Sequence, residues 1–306
     1  MRTLNNKIDF AMILRVKNAN PNGDPLNGNR PRTDYEGLGE ITDVCLKRKI
    51  RDRLVERFDA LPNSEQVGQA VYVQSDDRRA KGDNAKSLKE RAAPILGKMQ
   101  MKDQVVTDAC RTWIDVRAFG QLFPFKPGKS DSKNDKKDEG GRTESDSGVS
   151  VGIRGPVTIQ SAFSVEKVSI TSNQITKSVN LEATKDGKKG SDTMGMKHRV
   201  DKRADGEGFV YATFGSMNPH LAERTGFSDT DADTIKAILP KLFENDASSA
   251  RPEGSMEVLK VIWWKHSSKA GQYSSAKVHR SLHVNPDGSS KLENLPDLSP
   301  EEIDGF

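Results

Sequence analysis

The chain has 306 residues, room for one large domain or two ordinary ones, yet only 34% of them are hydrophobic and 30% are charged. So little apolar material beside clear strand and helix patterns implies one core carrying long polar excursions, which cannot offset their ordering entropy by burial. A net charge of +4, from 48 Lys+Arg against 44 Asp+Glu, excludes neither a plain soluble surface nor a polyanionic partner, so the clustering of the cations has to decide.

Residues 8–16 (IDFAMILRV) alternate, with Ile8, Phe10, Met12, Leu14 and Val16 on one face and Asp9 and Arg15 on the other, the pattern of a half-buried strand. The Gly-, Pro- and Asn-rich run at 18–39 admits no helix and reads as a long loop, and loops of this length are more often functional than idle. Thr42 is a candidate N-cap for a helix over 43–58, with Asp43 at its positive end. Leu46, Ile50, Leu54, Phe58 and Val44 form a broad apolar arc on it. Further helices are expected near 85–96 and 107–119. Residues 127–148 contain no large hydrophobe and read as a disordered or mobile insertion.

The second half predicts a strand at 156–165, a polar region at 166–208 and a strand at 209–217. A helix over 232–244, doubtful in its middle at Pro240, precedes a strand at 257–265 and an acidic, peripheral tail from Leu292. The order strand, helix, strand, strand, helix, strand is the α+β, ferredoxin-like or RRM-like βαββαβ plan, read as a single domain over 1–306.

Two cysteines, Cys45 and Cys110, form no disulfide framework. The N-terminus is polar and no apolar run approaches the ~18 residues of a membrane helix. A reducing cytoplasm is the expected compartment, with no membrane partner.

The sharpest chemical signal is on the 43–58 helix. Lys47 and Arg51 are one turn apart and fall inside the apolar arc, where two cations are costly unless an anion meets them. Arg48 flanks them. Lys49, Arg53 and Arg57 read instead as long stems passing the apolar rim. In the loop, Asn20, Asn22 and Asn27 offer donors and acceptors, glycines allow close approach, and Arg30 and Arg32 add charge, which suits a sugar-phosphate chain; a plain turn-rich connector fits the composition equally. The stretch 185–203 holds Lys185, Lys188, Lys189, Lys197, His198, Arg199, Lys202 and Arg203 with Met194 and Met196, as an extended basic hairpin with apolar tips or a charged loop.

Catalytic patterns are weak. The five histidines show no convincing metal-ligand spacing, and the phosphate-loop and nucleophile-elbow motifs are missing. Asp24, Asp34 and Asp43 are single carboxylates, a type commoner as caps. No catalytic residue, metal or cofactor is expected, and the RRM-type aromatic motif is missing as well.

Residues 19–52 (ANPNGDPLNGNRPRTDYEGLGEITDVCLKRKIRD), DVRAFGQ at 115–121 and RGPVTIQSAFSV at 154–165 resemble the backbone subunit of the subtype I-C CRISPR Cascade, in the Cas-seven family of RAMP proteins. The resemblance implies an RRM-like palm with finger and thumb insertions, several copies stacked head to tail on a CRISPR RNA, and a thumb near 166–208 with Met194 and Met196 as candidate wedges. It implies Lys47, Arg48 and Arg51 as backbone contacts, and target DNA paired to the guide, further copies and other Cascade subunits as partners. Related type III backbone proteins cleave RNA through an Asp in the N-terminal loop region. A metal-dependent endoribonuclease using Asp34 is therefore the second expectation.

Overall fold

A computed structural model of the chain describes residues 2–97, 102–125, 149–177 and 192–306. Strand β1 (Ile8–Val16), the short strands β2 (Gly23–Asp24) and β3 (Arg30–Pro31), and β4 (Leu38–Ile41) lead into helix α1 (Asp43–Ala60). Helices α2 (Leu88–Leu96), α3 (Lys102–Thr112) and α4 (Ile114–Phe119) follow, then strands β5 (Gly120–Phe125), β6 (Val149–Arg154), β7 (Val157–Ile159) and β8 (Ala162–Lys167). Next come β9 (Ile170–Lys177), β10 (Asp192–Val200), β11 (Phe209–Met217), α5 (Pro219–Thr225), α6 (Asp229–Ile238) and β12 (Met256–Lys265). The chain ends with α7 (Ser275–Arg280), β13 (Leu282–Val284), β14 (Ser290–Leu292) and β15 (Glu301–Asp304). The insertion expected at 127–148 lies outside the described residues, as do Lys185, Lys188 and Lys189.

The chain forms two compact units. One comprises Lys7–Ile50, Ile159–Ser216 and Ile235–Phe306. Its sheet runs β15-β12-β1-β11-β8-β4. With β1, β8, β11 and β12 as the four strands of the expected plan, the order is fourth, first, third, second, the ferredoxin-like arrangement connected by α1 and α6. β1 pairs antiparallel with β12 from Ile8↔Lys265 to Val16↔Met256, with an irregularity between Ile13 and Leu14.

β1 is buried on both faces, not on one as the alternation suggests. Asp9, Ala11 and Ile13 are as inaccessible as Phe10 and Met12. The cause is tertiary: Ala11, Ile262 and Trp264 pack against Val278 of α7 and against Leu282, Leu295 and Leu298 of the C-terminal segment. The tail is therefore structural, since β15 adds an edge strand from Lys260↔Asp304 to Trp263↔Glu301. On the other face Phe10 stacks on Trp263 at 5.6 Å, and a Cβ at Gly215 would come within 2.2 Å of the Phe10 ring.

The other unit comprises Met1–Asn6, Arg51–Thr158 and Met217–Thr234. Its core gathers Tyr72, Val105, Ala109, Cys110, Trp113, Val116, Phe123, Val151 and Ile153. Tyr72 and Trp113 lie 4.7 Å apart, ring to ring. Trp113 interrupts the helix expected over 107–119, because its extended backbone caps α4 and its N–H still closes the last turn of α3 on Ala109 O. Pro240 likewise converts the expected 232–244 helix into α6 plus a 3-10 turn at Leu239–Lys241. The strand expected at 156–165 divides into β7 and β8.

Candidate nucleic-acid interface

The Asn-rich loop is an ordered structure. β2 and β3 form a small hairpin with Gly23↔Pro31 and Asp24↔Arg30 in register. Between them Pro25–Asn27 makes a 3-10 turn, capped by Asp24 Oδ1 accepting from Leu26 N–H and closed by Gly28 at φ 59°. Asn22 Oδ1 accepts from the Thr42 N–H at 3.0 Å and the Thr42 hydroxyl at 2.8 Å, which ties the loop to the start of α1. Asn20 is buried, its Nδ2 donating to Asn29 O at 2.7 Å. Asn20 and Asn22 thus shape the loop, while Asn27 and Arg30 stand exposed.

Asp34 has a turn role. Its Oδ1 accepts from the N–H groups of Glu36 (2.9 Å) and Leu38 (2.8 Å), a local turn that presents Tyr35 to solvent, 96% exposed. Leu26, 98% exposed, is held out in the same way by the Asp24 cap. The sequence sign for both is a large hydrophobe inside a run of Gly, Pro and Asn.

β9 and β10 pair over Asp192↔Lys177 to Val200↔Ile170, with an irregularity at Gly195. The second strand of this ribbon takes up most of the described part of the 185–203 stretch read as a basic hairpin or a charged loop, while its first strand lies outside that stretch. Residues 171–176 are exposed in succession on β9, so the ribbon has no core of its own. Met196 is 53% exposed opposite Gln174; Met194 lies on β10 two residues nearer its start. The base of the ribbon meets the loop through Val200 N–H donating to Ala19 O at 2.8 Å. Arg199 Nη2 donates to Ser249 O at 3.3 Å, and Lys197 makes no ion pair among the described residues. Arg203 is instead committed to Glu166 at 2.9 Å and Asp205 at 3.3 Å.

The cations of α1 divide by partner. Among the described residues Lys47 Nζ reaches only the neighbouring Asp43, at 3.0 Å, and keeps a quarter of its side chain in solvent. Arg48 is half-buried with partners of its own. Arg51 meets an internal anion: Nε donates to Asp115 Oδ2 at 3.0 Å, its guanidinium lies 5.1 Å from the Phe119 ring centroid, and only 13% of the side chain is accessible. Asp115 also accepts from the N–H groups of Tyr72 and Val73. Lys49 does not pass an apolar rim; it is buried 2.5 Å from Asp246, and burial lowers its pKa against the pull of that carboxylate. Arg53 is buried as well, paired to Glu56 at 2.7 Å, whereas Val44, placed in the apolar arc, is 69% exposed.

Three of the expected contact residues carry a buried polar atom with no protein partner: Asn20 Oδ1, Arg32 Nε and Arg199 Nε. Arg32 is otherwise 3.4 Å from Asp24. Among the described residues no group of three or more His, Cys, Asp or Glu is placed to hold a metal, and no helix is long and apolar enough to cross a membrane.

A ferredoxin-like sheet bearing an ordered Asn-rich loop and a basic two-stranded ribbon defines an RRM-like α+β protein with inserted hairpins. The profile of the family described as CRISPR-associated protein Cas7 matches residues 6–302, and the chain belongs to that family. A relative from Haloferax volcanii, also described as CRISPR-associated protein Cas7, is 25% identical over 305 residues, covering 97% of this chain and 81% of its own length. A chain of a solved CRISPR RNA-guided surveillance complex, pre-nicking, aligns over 84% of this chain and 75% of that one at 17% identity and a TM-score of 0.47. A second CRISPR RNA-guided surveillance complex chain gives 16% identity and a TM-score of 0.42, over 84% and 68%.

Proposed function

We propose that the chain is a non-catalytic backbone subunit of a subtype I-C Cascade surveillance complex. It binds CRISPR RNA in several stacked copies and presents the guide to target DNA, with the other Cascade subunits as its partners. Family membership supports the class. The observation that carries the surface is the packing of β3, which bears the exposed Arg30, against β10, which bears the half-buried Lys197, neither cation making an ion pair among the described residues. Arginine N–H groups without a carboxylate suit phosphate oxygens, and contacts of this kind set affinity without reading sequence. The non-catalytic reading is supported by Asp34, whose Oδ1 already accepts two backbone N–H groups as a turn residue.

The test is nuclease protection of guide RNA by the assembled complex. Arg30→Glu combined with Lys197→Glu is expected to abolish protection while leaving the thermal midpoint of the protein unchanged, since neither side chain makes a described ion pair. Full protection by that double variant overturns the surface. Evenly spaced cuts in complementary RNA with Mg²⁺, lost on Asp34→Ala, overturn the non-catalytic reading.

A further inference from the structure

The unit that holds Arg51–Thr158 and Met217–Thr234 has a cleft of about 480 Å³ whose wall includes Val67, Gly68, Arg111, Arg117, Arg224 and Thr225. Its floor is electrically closed. Arg117 donates through Nε and Nη2 to both oxygens of Asp231, at 2.9 and 2.7 Å, and through Nη1 to Gly68 O at 2.5 Å. Asp231, which also lines the cleft, accepts in addition from the Ser228 N–H and hydroxyl, so its charge is already met. Gly68 has φ +75°, and a Cβ there would lie 2.9 Å from Arg111 O, so the chain turns tightly at the wall.

What remains is a surplus of donors. Thr225 is 5% exposed and its Oγ1 has no hydrogen-bond partner. Arg224, next to it in the last turn of α5, is exposed and makes no ion pair among the described residues. Arg111 is 75% exposed and shares its charge with Asp108 at 2.7 Å. Beside these donors stands an apolar wall of Val67, 81% exposed, and Val106. A carboxylate is planar and matches a single guanidinium fork. Donors from two guanidiniums and a hydroxyl, on the two helices α3 and α5, match a tetrahedral group with several acceptor oxygens, and the apolar wall matches the sugar and base that a nucleotide carries.

We propose that this cleft binds the phosphate of a nucleotide through Arg224 and the Thr225 hydroxyl, with Arg111 at the rim. The nucleotide's origin in a nucleic-acid strand rests on the function proposed above; the anion site itself does not. It is a second contact, separate from the loop and ribbon residues.

The experiment uses the complex loaded with guide RNA, after guide protection has been verified, and a labelled oligothymidylate that cannot pair with the guide. Binding is followed by fluorescence anisotropy across a salt series. Arg224→Ala is expected to weaken binding about 10-fold and to reduce the salt slope by about one phosphate contact, with guide protection intact. Thr225→Val is expected to weaken binding about 3-fold without lowering thermal stability, because a hydroxyl with no partner contributes nothing to the fold. Affinity and salt slope equal to wild type in both variants overturn the proposal, as does a marked loss of stability in Thr225→Val. Weakening seen equally with thymidine monophosphate places the source in free nucleotides, while weakening confined to the oligomer places it in a strand. Displacement of the oligomer by polyglutamate but not by inorganic phosphate assigns the cleft to acidic peptide and overturns the phosphate reading. Should wild-type complex fail to protect guide RNA while isolated Arg224→Ala protein still loses thymidine monophosphate, the site stands and the proposed function falls.

Discussion

Lys47 and Arg51 share a helical face, yet only their surroundings tell them apart. The sequence showed that two cations in an apolar arc need an anion, and for Arg51 that requirement is met from within, by Asp115 at a separation of 64 residues. No local pattern reports such a pairing. Asp9 was legible only as a polar residue on the far face of a strand; in the fold it is fully buried, with His266 Nε2 at 2.8 Å, Lys7 at 3.2 Å and His279 at 3.6 Å. Burial works to raise its pKa, but the hydrogen bond from His266, the nearby His279 and Ser275 side chains and the charge of Lys7 outweigh it and hold the carboxyl well below its ordinary 3.8. A depressed folded-state pKa means that the unfolded chain binds the proton more readily. The stabilisation is therefore complete above pH ~4 and is lost as pH falls through the lower folded value. Asp9→Asn is expected to lower stability by about 2–3 kcal/mol at pH 7, and the gap to wild type should narrow steadily below pH 4. Urea midpoints of both proteins at pH 7, 4 and 3 check this; parallel curves would show that Asp9 does not titrate as described.

Elements were legible where their period was regular. β1, β11 and β12 have the expected spans to within a residue, because alternation or a run of β-branched and aromatic residues leaves no competing reading. The break at Trp113 and the 3-10 turn at Pro240 depend on packing and on one missing donor, and only the second has a sequence sign. Of the β9–β10 ribbon only the basic, Met-bearing second strand was legible, as part of a hairpin or a charged loop; its partner β9 and the exposure along it depend on the pairing. A two-stranded ribbon solvated along β9 contributes little to the stability of what it grows from. Replacing residues 173–197 by a short Gly-Ser linker is expected to change the thermal midpoint by only a few degrees and to abolish guide protection. Circular dichroism melting and nuclease digestion read the two effects separately. A collapse of the melting transition would mean that the ribbon belongs to the palm's core.

At the scale of the whole molecule, element order sufficed for the ferredoxin-like plan, because the βαββαβ succession allows few sheet orders. It did not disclose that the chain's last strand, β15, returns to edge β12, nor that segments from three parts of the chain assemble a second unit around Tyr72 and Trp113. Both depend on pairings across most of the sequence. Nor can one chain show repetition, which belongs to the function proposed above and has a mass signature. If each copy covers a fixed length of guide, bound mass rises with spacer length in steps of one 33.7 kDa chain. A complex reconstituted on a series of guides lengthened by single nucleotides, sized by native mass spectrometry, is expected to show plateaus separated by that step. A chaperone-like binder held by unregistered phosphate contacts would give a broad, salt-dependent spread instead, because each contact then forms independently of the next. Steps that persist as salt is raised until the whole assembly dissociates, with no intermediate spread, would show that neighbouring copies hold one another in register on the RNA.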